Sequence, residues 1–436
     1  MNRTVEKGKT LLVDGPASVA IISGKVEIFG FTPNTASRIV IREGKRLPFL
    51  VYETATFDLS LSETAGVEEV EFNTIPMSWA NAFDELSRME TKPVVTIVLG
   101  SVDSGKSSFC TYLVNRLLGL KKKVAVLDGD IGQSDIGPPC AVSYAFVPKA
   151  VTDLFNLQAK NAMFIGTTSP SRNSEKVIDG LAMLKKEILT NNPDFIIMNT
   201  DGWIEGEDAV RYKIRLVEKT NPDVVFFIQQ KDELTFLANA LEKFRKITVE
   251  SPPVISQRSR EKRKNLRELG YVKYLRNAKV QSSPLGWLKI ENDETFGLGK
   301  TYTNMKEANR LYALLGMKPL HVIDQAGKVS IIVGRKRWVD VEKLKKIEEA
   351  FKKKVVLIRK GEEEGLIMGL YDAQRKFLGI GILQEVEYLK KTIKILTPVS
   401  KGIAIAALGK VKLDRNMKEI PAFEETFDAS SFNKLF

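Results

Sequence analysis

The chain has 436 residues, of which 43% are hydrophobic and 28% are charged, and its formal net charge is +12. This composition is typical of a folded protein and excludes disordered and fibrous classes. The length exceeds what a single hydrophobic core usually organises, so two or three domains are expected. No apolar stretch is long enough to span a membrane, and the first residues lack the apolar core of a signal peptide. We therefore expect a cytoplasmic protein.

Few residues of this chain could support metal or redox chemistry. The two cysteines, Cys110 and Cys140, cannot form a disulfide framework, and no paired Cys/His spacing indicates a structural zinc site. The single histidine, His321, lies between apolar residues, which favours packing and excludes sites that need several histidines. The positive net charge favours a polyanionic partner such as nucleic acid, although proteins of heat-adapted organisms are also often basic.

The first 75 residues predict a small antiparallel β sandwich. Short runs such as KVEIFGF and RIVIREG alternate apolar and polar residues and are separated by Gly, Pro, Asn and Asp. This spacing of strands and turns is typical of an all-β domain. Residues 76–91, PMSWANAFDELSRMET, predict a helix that bridges to the next domain.

Residues 92–285 predict a different architecture. Apolar runs that do not alternate, such as VVTIVL, KVAVLD and DFIIMN, are followed by amphipathic helical patterns. Strands of this kind between helices indicate a parallel sheet that is covered on both faces. Short strand-like runs dominate residues 286–436, with one clear helix at 339–353, and predict a mainly β (α+β) third domain.

The motif GSVDSGKSS at residues 100–108 follows the apolar run VVTIVL and opens a helical pattern. Its spacing matches a phosphate-binding P-loop, in which backbone N–H groups and a helix N-terminus converge on phosphate oxygens. The lysine reaches the β- and γ-phosphates, and the next hydroxyl binds magnesium. The predicted fold is therefore an α/β P-loop core with a parallel sheet, flanked by an N-terminal β sandwich and a mainly β C-terminal domain. The predicted nucleotide-binding residues are Gly100, Ser101, Val102, Asp103, Ser104, Gly105, Lys106, Ser107 and Ser108.

Two carboxylates follow the second strand of this core, in the sequence LDGDIGQSDIG. Asp128 and Asp130 emerge beside the P-loop at the carboxyl edge of the sheet, where open α/β sheets place their chemistry. Because alternate residues face opposite ways, we expect one of them to face the metal and phosphates and the other to support the loop. A carboxylate that accepts a proton from an attacking hydroxyl is what a kinase requires. The alternative, that these are solvated acids of a turn, is weaker because DGDIGQ follows VAVL abruptly.

The third strand of the core ends in MNTDGW. Thr200 and Gly202 lie where they could approach the nucleotide or the metal, and Trp203 would project beside the cleft. A tryptophan in this place either fills the core or forms a platform on which a base stacks. The basic net charge favours stacking.

A basic segment follows the core, with six Lys and Arg residues among the ten from 258 to 267. A solvated basic helix is the ordinary interpretation of such a run. After a P-loop sheet, an arginine-bearing lid over the transferring phosphate is the alternative that we favour, because guanidinium groups match the charge of that transition state. We place this predicted lid at residues 256–270.

These motifs in this order, GSVDSGKSS, DGDIGQ, NTDGW and RSREKR, resemble the Clp/Grc family of polynucleotide 5'-hydroxyl kinases, which process RNA. The resemblance extends to SGKVEIFG near the start and to LGIGILQEVEYLKKTIKILTPVS near the end, and so covers most of the chain. The most specific part is the pair DxDxGQ and TxGW.

The resemblance implies roles for residues of the phosphate and acid loops. Lys106 would act on the triphosphate, and Ser107 would bind magnesium. Asp128 would be the general base or a metal-linked acid, and Asp130 would support it beside the substrate nucleic acid.

It also implies contacts for the acceptor, the lid and the adenine. The terminal nucleotide of the acceptor strand would be contacted by Gln133 and Trp203, in a pocket shaped by Thr200 and Gly202. The lid arginines that act on the γ-phosphate would be Arg258 and Arg263. The adenine would be packed on by Phe29 and read by Glu6.

The function predicted by these observations is transfer of the γ-phosphate of ATP, with a divalent cation such as Mg²⁺, to the 5'-hydroxyl of RNA. Use of GTP in place of ATP and of DNA in place of RNA is left open, and RNA-processing proteins are expected partners. A P-loop GTPase or ATPase switch is the first alternative, although the chain lacks the Asn-Lys-x-Asp order that reads guanine. A non-catalytic ATP-binding scaffold of an RNA-processing complex is the second.

Overall fold

The structure is a computed structural model, and it describes residues 1–35, 37–254, 258–293, 296, 298, 305–325 and 327–421. The chain divides into two compact units, Met1–Gly270 and Tyr271–Phe436. The predicted division into an N-terminal domain, a bridge, a core and a C-terminal domain stays a prediction.

The N-terminal residues form one antiparallel sheet with the order β4-β3-β5-β2-β6, in which β1 also pairs with β5. The strand β5 pairs with β3 on one side and with β2 and β1 on the other, so these strands belong to one hydrogen-bonded sheet. Register shifts between β3 and β5 accommodate the bending of these long strands. The strands are β1 (Asn2–Val5), β2 (Thr10–Asp14), β3 (Ala17–Glu27), β4 (Arg38–Ile41), β5 (Arg46–Leu61) and β6 (Val67–Val70).

The rest of the first unit is built on a seven-stranded sheet with the order β10-β9-β8-β11-β7-β12-β13. Its strands are β7 (Val94–Gly100), β8 (Val124–Asp128), β9 (Ala141–Phe146), β10 (Asn161–Phe164), β11 (Phe195–Asn199), β12 (Val224–Gln229) and β13 (Lys246–Glu250). The five strands from β8 to β13 in this order are parallel, as predicted. The antiparallel strands β9 and β10 extend one edge and were not predicted.

Helices cover both faces of this sheet. They are α1 (Met77–Ser87), α2 (Lys106–Gly119), α3 (Ser174–Leu189), α4 (Glu207–Thr220) and α5 (Thr235–Ala240). Alternate residues of β7, such as Val94 and Val98 against Val95 and Ile97, belong to two different hydrophobic cores. The first core includes α1, α2 and the N-terminal sheet, and the second includes α3 and α4. This arrangement explains why the strands are apolar without alternation.

The helix α6 (Arg260–Tyr274) contains the predicted basic lid, and the division between the two compact units falls within it. Residues 256 and 257 of that predicted lid lie outside the described residues.

The second unit contains two sheets. The larger has the order β14-β21-β20-β19-β22-β15, with β23 paired to β22, and the smaller has the order β16-β17-β18. The remaining elements are β14 (Lys279–Pro284), β15 (Lys289–Glu291), α7 (Met305–Leu315), β16 (His321–Gln325), β17 (Lys328–Val333), α8 (Val341–Phe351), β18 (Lys354–Arg359), β19 (Leu366–Tyr371), β20 (Phe377–Glu387), β21 (Thr392–Thr397), β22 (Ile405–Leu413) and β23 (Glu419–Ile420). The predicted helix at 339–353 is α8.

Across the described ranges, no helix combines the length and the apolar character that a membrane crossing requires. Both cysteines, Cys110 and Cys140, are buried.

Candidate active site

The phosphate loop, residues 101–105, joins the buried strand β7 to the helix α2. It turns tightly, since Asp103 and Gly105 have φ values of +59° and +99°. A Cβ atom built on Gly100 would lie 2.5 Å from Ile228 Cγ2, and one built on Gly105 would lie 2.9 Å from Pro252 Cδ. Glycine at both positions therefore lets the loop form the concave surface that a phosphate chain requires.

The polar groups of the phosphate loop have few partners in the protein. The Lys106 ammonium donates to the Ser101 carbonyl at 2.6 Å. The Ser107 hydroxyl accepts one long bond of 3.5 Å from Asn199 Nδ2. The buried Ser104 hydroxyl has no hydrogen-bond partner in the described part of the chain. These groups fit a nucleoside triphosphate, because its phosphate oxygens would accept hydrogen bonds from these donors.

Asp128, at the end of β8, is fully buried. Its Oδ2 accepts bonds from Ser134 Oγ and from the N–H groups of Asp135 and Ile136, at 2.8 to 3.2 Å. Its Oδ1 accepts bonds from the Asp130 N–H at 3.3 Å and from Asn199 Nδ2 at 3.1 Å. The carboxylate is therefore the centre on which residues 129–137, the acid loop, are folded.

Asp130 is only partly buried, and just one of its oxygens is used in this way. Its Oδ1 accepts bonds from the N–H groups of Gly132 and Gln133 at 3.1 and 2.8 Å. Its Oδ2 accepts no hydrogen bond from the described residues. The residue pattern left open which aspartate faces the phosphates, and the resemblance implied that Asp128 is the base or metal-linked acid with Asp130 in support. Those roles stay predictions, and of the two carboxylates Asp130 is the one with an oxygen that accepts no hydrogen bond from the described residues.

The charges at this edge of the sheet influence one another. Burial lowers the pKa of Lys106 to about 8, and the nearby Asp130 carboxylate works against this shift. Burial, together with the charge of Asp201, raises the pKa of Asp130 to about 6, and Lys106 opposes that increase. Burial and two neighbouring carboxylates raise the pKa of Asp128 to about 7. Among the nearby acids, Asp130 therefore has the largest electrostatic effect on the pKa of Lys106.

The acceptor loop, residues 200–206, follows β11 and packs directly on the phosphate loop. A Cβ atom on Gly202 would lie 2.6 Å from the backbone N of Val102. Thr200 is fully buried, and its hydroxyl donates to the Val98 carbonyl at 2.7 Å, so it fixes the loop to the sheet. Trp203 is half-buried and stacks on Tyr212 with 5.7 Å between ring centroids. One face of the indole is therefore already covered by the protein.

A buried ion pair holds the acceptor loop in place, and sequence reasoning gave its residues no role. The Lys213 ammonium, 0% exposed, lies 3.0 Å from Asp201 Oδ2 and donates to the Asp201 carbonyl at 2.9 Å. Tyr212 donates to the same Oδ2 at 2.9 Å, and the Trp203 N–H donates to Oδ1 at 2.9 Å. The available signal was the position of Lys213 on the apolar face of α4, among Tyr212, Leu216 and Val217. A lysine on such a face needs a buried acid.

The lid segment is attached to both loops. The Arg258 N–H donates to Asp103 Oδ2 at 3.0 Å, and its Nε lies 3.8 Å from Asp103 Oδ1. The Gln133 side-chain amide donates to the Arg263 carbonyl at 2.9 Å. The Arg263 guanidinium itself forms no hydrogen bond or ion pair with the described residues. The structure thus places both predicted lid arginines beside the phosphate and acid loops, and it uses Gln133 as a tether to the lid.

A second cluster that sequence reasoning missed connects the N-terminal sheet to the acid loop. Arg42 contacts Asp135 and donates through Nε to Asp153 at 2.6 Å, and Lys45 lies 3.4 Å from both carboxylates. A Cβ atom on Gly44 would lie 2.9 Å from Leu266 of α6. One turn of the N-terminal sheet therefore packs against both the acid loop and the lid helix.

The predicted adenine contacts, Phe29 and Glu6, already have partners within the protein. Phe29 is 6% exposed and lies in the first hydrophobic core. Its carbonyl accepts a bond of 3.0 Å from Asn115 of α2. Glu6 is exposed and pairs with Lys9 at 3.2 Å. A stacking surface for adenine on Phe29 is disfavoured by this burial, and both roles stay predictions.

The residues at the site fit a nucleotide-bound metal better than a metal held by the protein alone. Among the described residues, no group of three or more His, Cys, Asp or Glu could hold an ion. The site does offer the Ser107 hydroxyl, and Asn199 Nδ2 joins this hydroxyl to Asp128, the predicted metal-linked acid, by bonds of 3.5 and 3.1 Å. Mg²⁺ ordinarily takes one or two protein oxygens together with phosphates and water, and this donor set matches that habit.

Comparisons with known proteins indicate the family of this chain. Residues 100–277 match the family described as mRNA cleavage and polyadenylation factor CLP1 P-loop. A polyribonucleotide 5'-hydroxyl-kinase of Methanocaldococcus jannaschii is 31% identical over 345 residues, which cover 76% of this chain and 90% of that protein. One from Pyrococcus abyssi is 28% identical over 362 residues, covering 80% and 95%.

The fold has a counterpart among solved structures. The structure titled wild-type Clp1p-Pcf11p (454–563) complex superimposes with a TM-score of 0.64, at 14% identity, and covers 94% of this chain and 97% of that one. Its fold is the one described above, a P-loop core with additional β domains. On the evidence of the family match and the archaeal relatives, the chain belongs to the Clp1-type family of polyribonucleotide 5'-hydroxyl kinases.

Proposed function

We propose that this protein transfers the terminal phosphate of ATP to the 5'-hydroxyl group of RNA during RNA processing. The observation that carries the proposal is the contact between the acceptor loop and the phosphate loop at Gly202 and Val102, beside the half-free carboxylate of Asp130. A phosphate donor, a proton acceptor and an aromatic surface thus share one edge of the sheet. The names of the archaeal relatives supply the acceptor, the 5'-hydroxyl of a polyribonucleotide.

In this proposal the phosphate loop binds the triphosphate through its N–H groups. Lys106 exchanges its hydrogen bond to the Ser101 carbonyl for one to the phosphates. Its buried ammonium thereby gains a negatively charged partner. A divalent cation bound with the nucleotide would screen the phosphate charge, with the Ser107 hydroxyl as a protein ligand. The chain itself contributes binding, orientation and the exclusion of water.

Asp130 accepts the proton of the attacking 5'-hydroxyl through Oδ2. Its Oδ1 is fixed by two backbone bonds, so the free oxygen has a defined position. Its pKa of about 6 leaves the carboxylate ionised at neutral pH and yet more basic than an ordinary aspartate. Asp128 cannot serve in this way without losing some of its five hydrogen bonds, so we assign it the support of the acid loop.

The lid arginines act on the transferred phosphate. Arg258 is held near the phosphate loop by Asp103, and Arg263 has no competing partner in the described chain. A guanidinium is well matched to the oxygens of the transferring phosphoryl group, and such a group is worth about 10³- to 10⁵-fold in kcat in related phosphoryl transfer. The exposed part of the Trp203 ring contacts the terminal base of the acceptor.

One assay tests this function. The full chain with Mg²⁺ and γ-labelled ATP, or GTP, is incubated with 20-nucleotide RNA or DNA that carries either a 5'-hydroxyl or a 5'-phosphate. We expect label on the 5'-hydroxyl RNA and none on the 5'-phosphate RNA. Lys106→Met should lower the rate by about 100-fold or more, because it removes a cation from the developing charge. Lys121→Met, an exposed lysine after α2, is the matched control and should keep the full rate.

Two results would contradict the proposal. ATP or GTP hydrolysis that is unaffected by 5'-hydroxyl RNA would favour a switch. Stable binding of ATP without turnover in the presence of RNA would favour a scaffold.

A further inference from the structure

The second unit carries a tryptophan whose exposure has no structural explanation. Trp338 is 70% exposed, although tryptophan is highly buried on average. It follows β17 in the segment Gly334–Asp340, which we name the tryptophan turn. Arg335, Lys336 and Arg337 directly precede the indole and are exposed. An aromatic ring beside a run of cations is the composition of a surface that binds single-stranded nucleic acid.

The tryptophan turn is held in a defined conformation. The Arg337 N–H donates to the Gly334 carbonyl at 2.9 Å, which closes the turn. Val339, 6% exposed, packs in the small core of α7, α8 and the three-stranded sheet. Asp340 caps α8 by accepting a bond of 3.0 Å from the Glu342 N–H. Buried and capped residues directly after the ring therefore fix the backbone that presents it.

The Trp338 ring is also supported from one side. The Arg359 guanidinium carbon lies 5.7 Å from the ring centroid, and Arg359 is itself 3.9 Å from Glu362. A cation on one face of an indole stabilises its position by cation–π attraction. Stacking on the remaining exposed surface would not require this arrangement to change.

The charges around the ring favour a polyanion. Arg335 pairs with Glu364 at 2.5 Å, so its charge is partly used. Lys336 and Arg337 form no ion pair with any described residue. The acids closest in sequence, Asp340 and Glu342, lie in the cap and first turn of α8. Two uncompensated cations therefore remain beside the ring and can contact consecutive phosphates of one strand.

From these observations we propose that the tryptophan turn is a second RNA-binding site, where Trp338 stacks on a base and Lys336 and Arg337 bind the adjoining phosphates. The proposal rests on the function proposed above only for the identity of the ligand as RNA. It assigns the second unit a role in holding the RNA strand, separate from the chemistry at the P-loop edge.

The test measures RNA binding directly in the full chain. Fluorescence anisotropy without ATP gives the Kd for a 20-nucleotide 5'-hydroxyl RNA at several salt concentrations. Trp338→Ala should weaken binding about tenfold, which is the effect of losing one stacked base. The double change Lys336→Ala and Arg337→Ala should reduce the slope of log K against log salt by about 1.4, because two phosphate contacts are lost.

The matched control is Trp287→Ala, which removes another exposed tryptophan of the same unit, 78% exposed. It should leave the Kd unchanged. A second readout is kcat/KM for phosphorylation of a trinucleotide, which we expect to stay the same in Trp338→Ala because short RNA depends on the P-loop edge alone.

Three results would overturn the second site. They are an unchanged Kd in both the tryptophan and the double variants, an equal loss in Trp287→Ala, or an equal loss of kcat/KM on the trinucleotide. An unchanged Kd would leave the turn as a surface for a protein partner. If the wild-type chain fails to label RNA while Trp338→Ala still weakens binding selectively, the proposed kinase function fails and the second site stands.

Discussion

The phosphate loop and the acid loop lie at the same edge of one sheet but differ in how far the protein itself satisfies the hydrogen bonds of their polar groups. In the acid loop, Asp128 accepts five hydrogen bonds, and Asp135 is held by Arg42 and Lys45. In the phosphate loop, the buried Ser104 hydroxyl has no partner among the described residues, and Lys106 donates to a loop carbonyl. The acid loop is completed by the protein, whereas the phosphate loop is arranged to be completed by a ligand.

This difference predicts which substitutions should lower the stability of the fold and which should lower activity. A change within a network that is already satisfied leaves buried groups without partners and lowers the stability of the fold. A change at a group that awaits a ligand lowers activity and leaves the fold intact. Asp130 combines the two cases, since one of its oxygens accepts bonds within the acid loop and the other accepts none from the described part of the chain.

The largest effect is expected from Asp130→Asn. The amide oxygen can still accept bonds from the Gly132 and Gln133 N–H groups, so the melting temperature should change little. The amide cannot accept the proton of the attacking hydroxyl, and kcat should fall by about 10²- to 10⁴-fold. Initial rates at saturating ATP and RNA, together with thermal unfolding, measure both quantities.

Asp128→Asn is the comparison for that experiment. Both oxygens of Asp128 accept hydrogen bonds, so the amide nitrogen of asparagine would face groups that also donate. The free energy of unfolding of this variant should therefore fall by about 3 kcal/mol. A wild-type kcat in Asp130→Asn would show that the two roles are assigned wrongly. A stable but inactive Asp128→Asn would show the same.

The second prediction concerns the buried ion pair beneath the acceptor loop. Lys213→Met leaves the Asp201 carboxylate buried without its cation and should lower the free energy of unfolding by about 3–5 kcal/mol, measured in urea. It should also raise KM for RNA more than it lowers kcat. The reason is that the backbone N–H of Trp203, the proposed contact for the terminal base, donates to the Asp201 carboxylate. Lys219→Met, whose exposed lysine on the same helix pairs with Asp179, should cost less than about 1 kcal/mol. Equal costs would refute the distinction.

The third prediction uses pH to examine the turn that supports the acid loop. Burial alone would raise the pKa of Asp153, but Lys45 and Arg42 outweigh it and hold that pKa well below its ordinary value. An acid with a depressed pKa stabilises the fold above pH of about 4 and loses this contribution as the pH falls. Arg42→Met should therefore be less stable by about 3 kcal/mol at pH 7, and the difference should narrow at pH 3.

The control for this prediction is Arg38→Met, since Arg38 is exposed and lies 3.7 Å from Asp58. It should be nearly neutral at both pH values. A stability difference between Arg42→Met and the wild type that stays constant from pH 7 to pH 3 would mean that the pKa of Asp153 does not depend on Arg42.

The smallest effect is expected from Gln133→Ala, which removes the bond from the side-chain amide to the Arg263 carbonyl. Loss of about 1 kcal/mol should increase amide hydrogen exchange in residues 259–267 and lower kcat/KM about fivefold. Gln281→Ala removes a comparable bond to the Val399 carbonyl in the second unit and should leave exchange in those residues unchanged. Unaltered exchange in Gln133→Ala would exclude the tether.

Much of the architecture could be predicted from local patterns. The apolar runs before the P-loop and at DFIIMN became strands of a parallel sheet, and the helix expected at 339–353 is α8. The antiparallel strands β9 and β10 escaped prediction because AVSYAF and NAMF are short and lie among irregular segments. The N-terminal strands were recognisable, but their order in the sheet depends on pairing between strands that are distant in sequence.

The sequence by itself determined that a P-loop motif follows β7, because the glycine spacing and the following helix are local properties of nine consecutive residues. It also located both aspartates beside that site. Only the tertiary structure decided which carboxylate keeps a free oxygen, since the groups that occupy Asp128 include Asn199, 71 positions away. It likewise brought Lys213 to Asp201 and Arg42 to the acid loop. Such contacts join distant segments, and no local pattern specifies which buried charge will meet which partner.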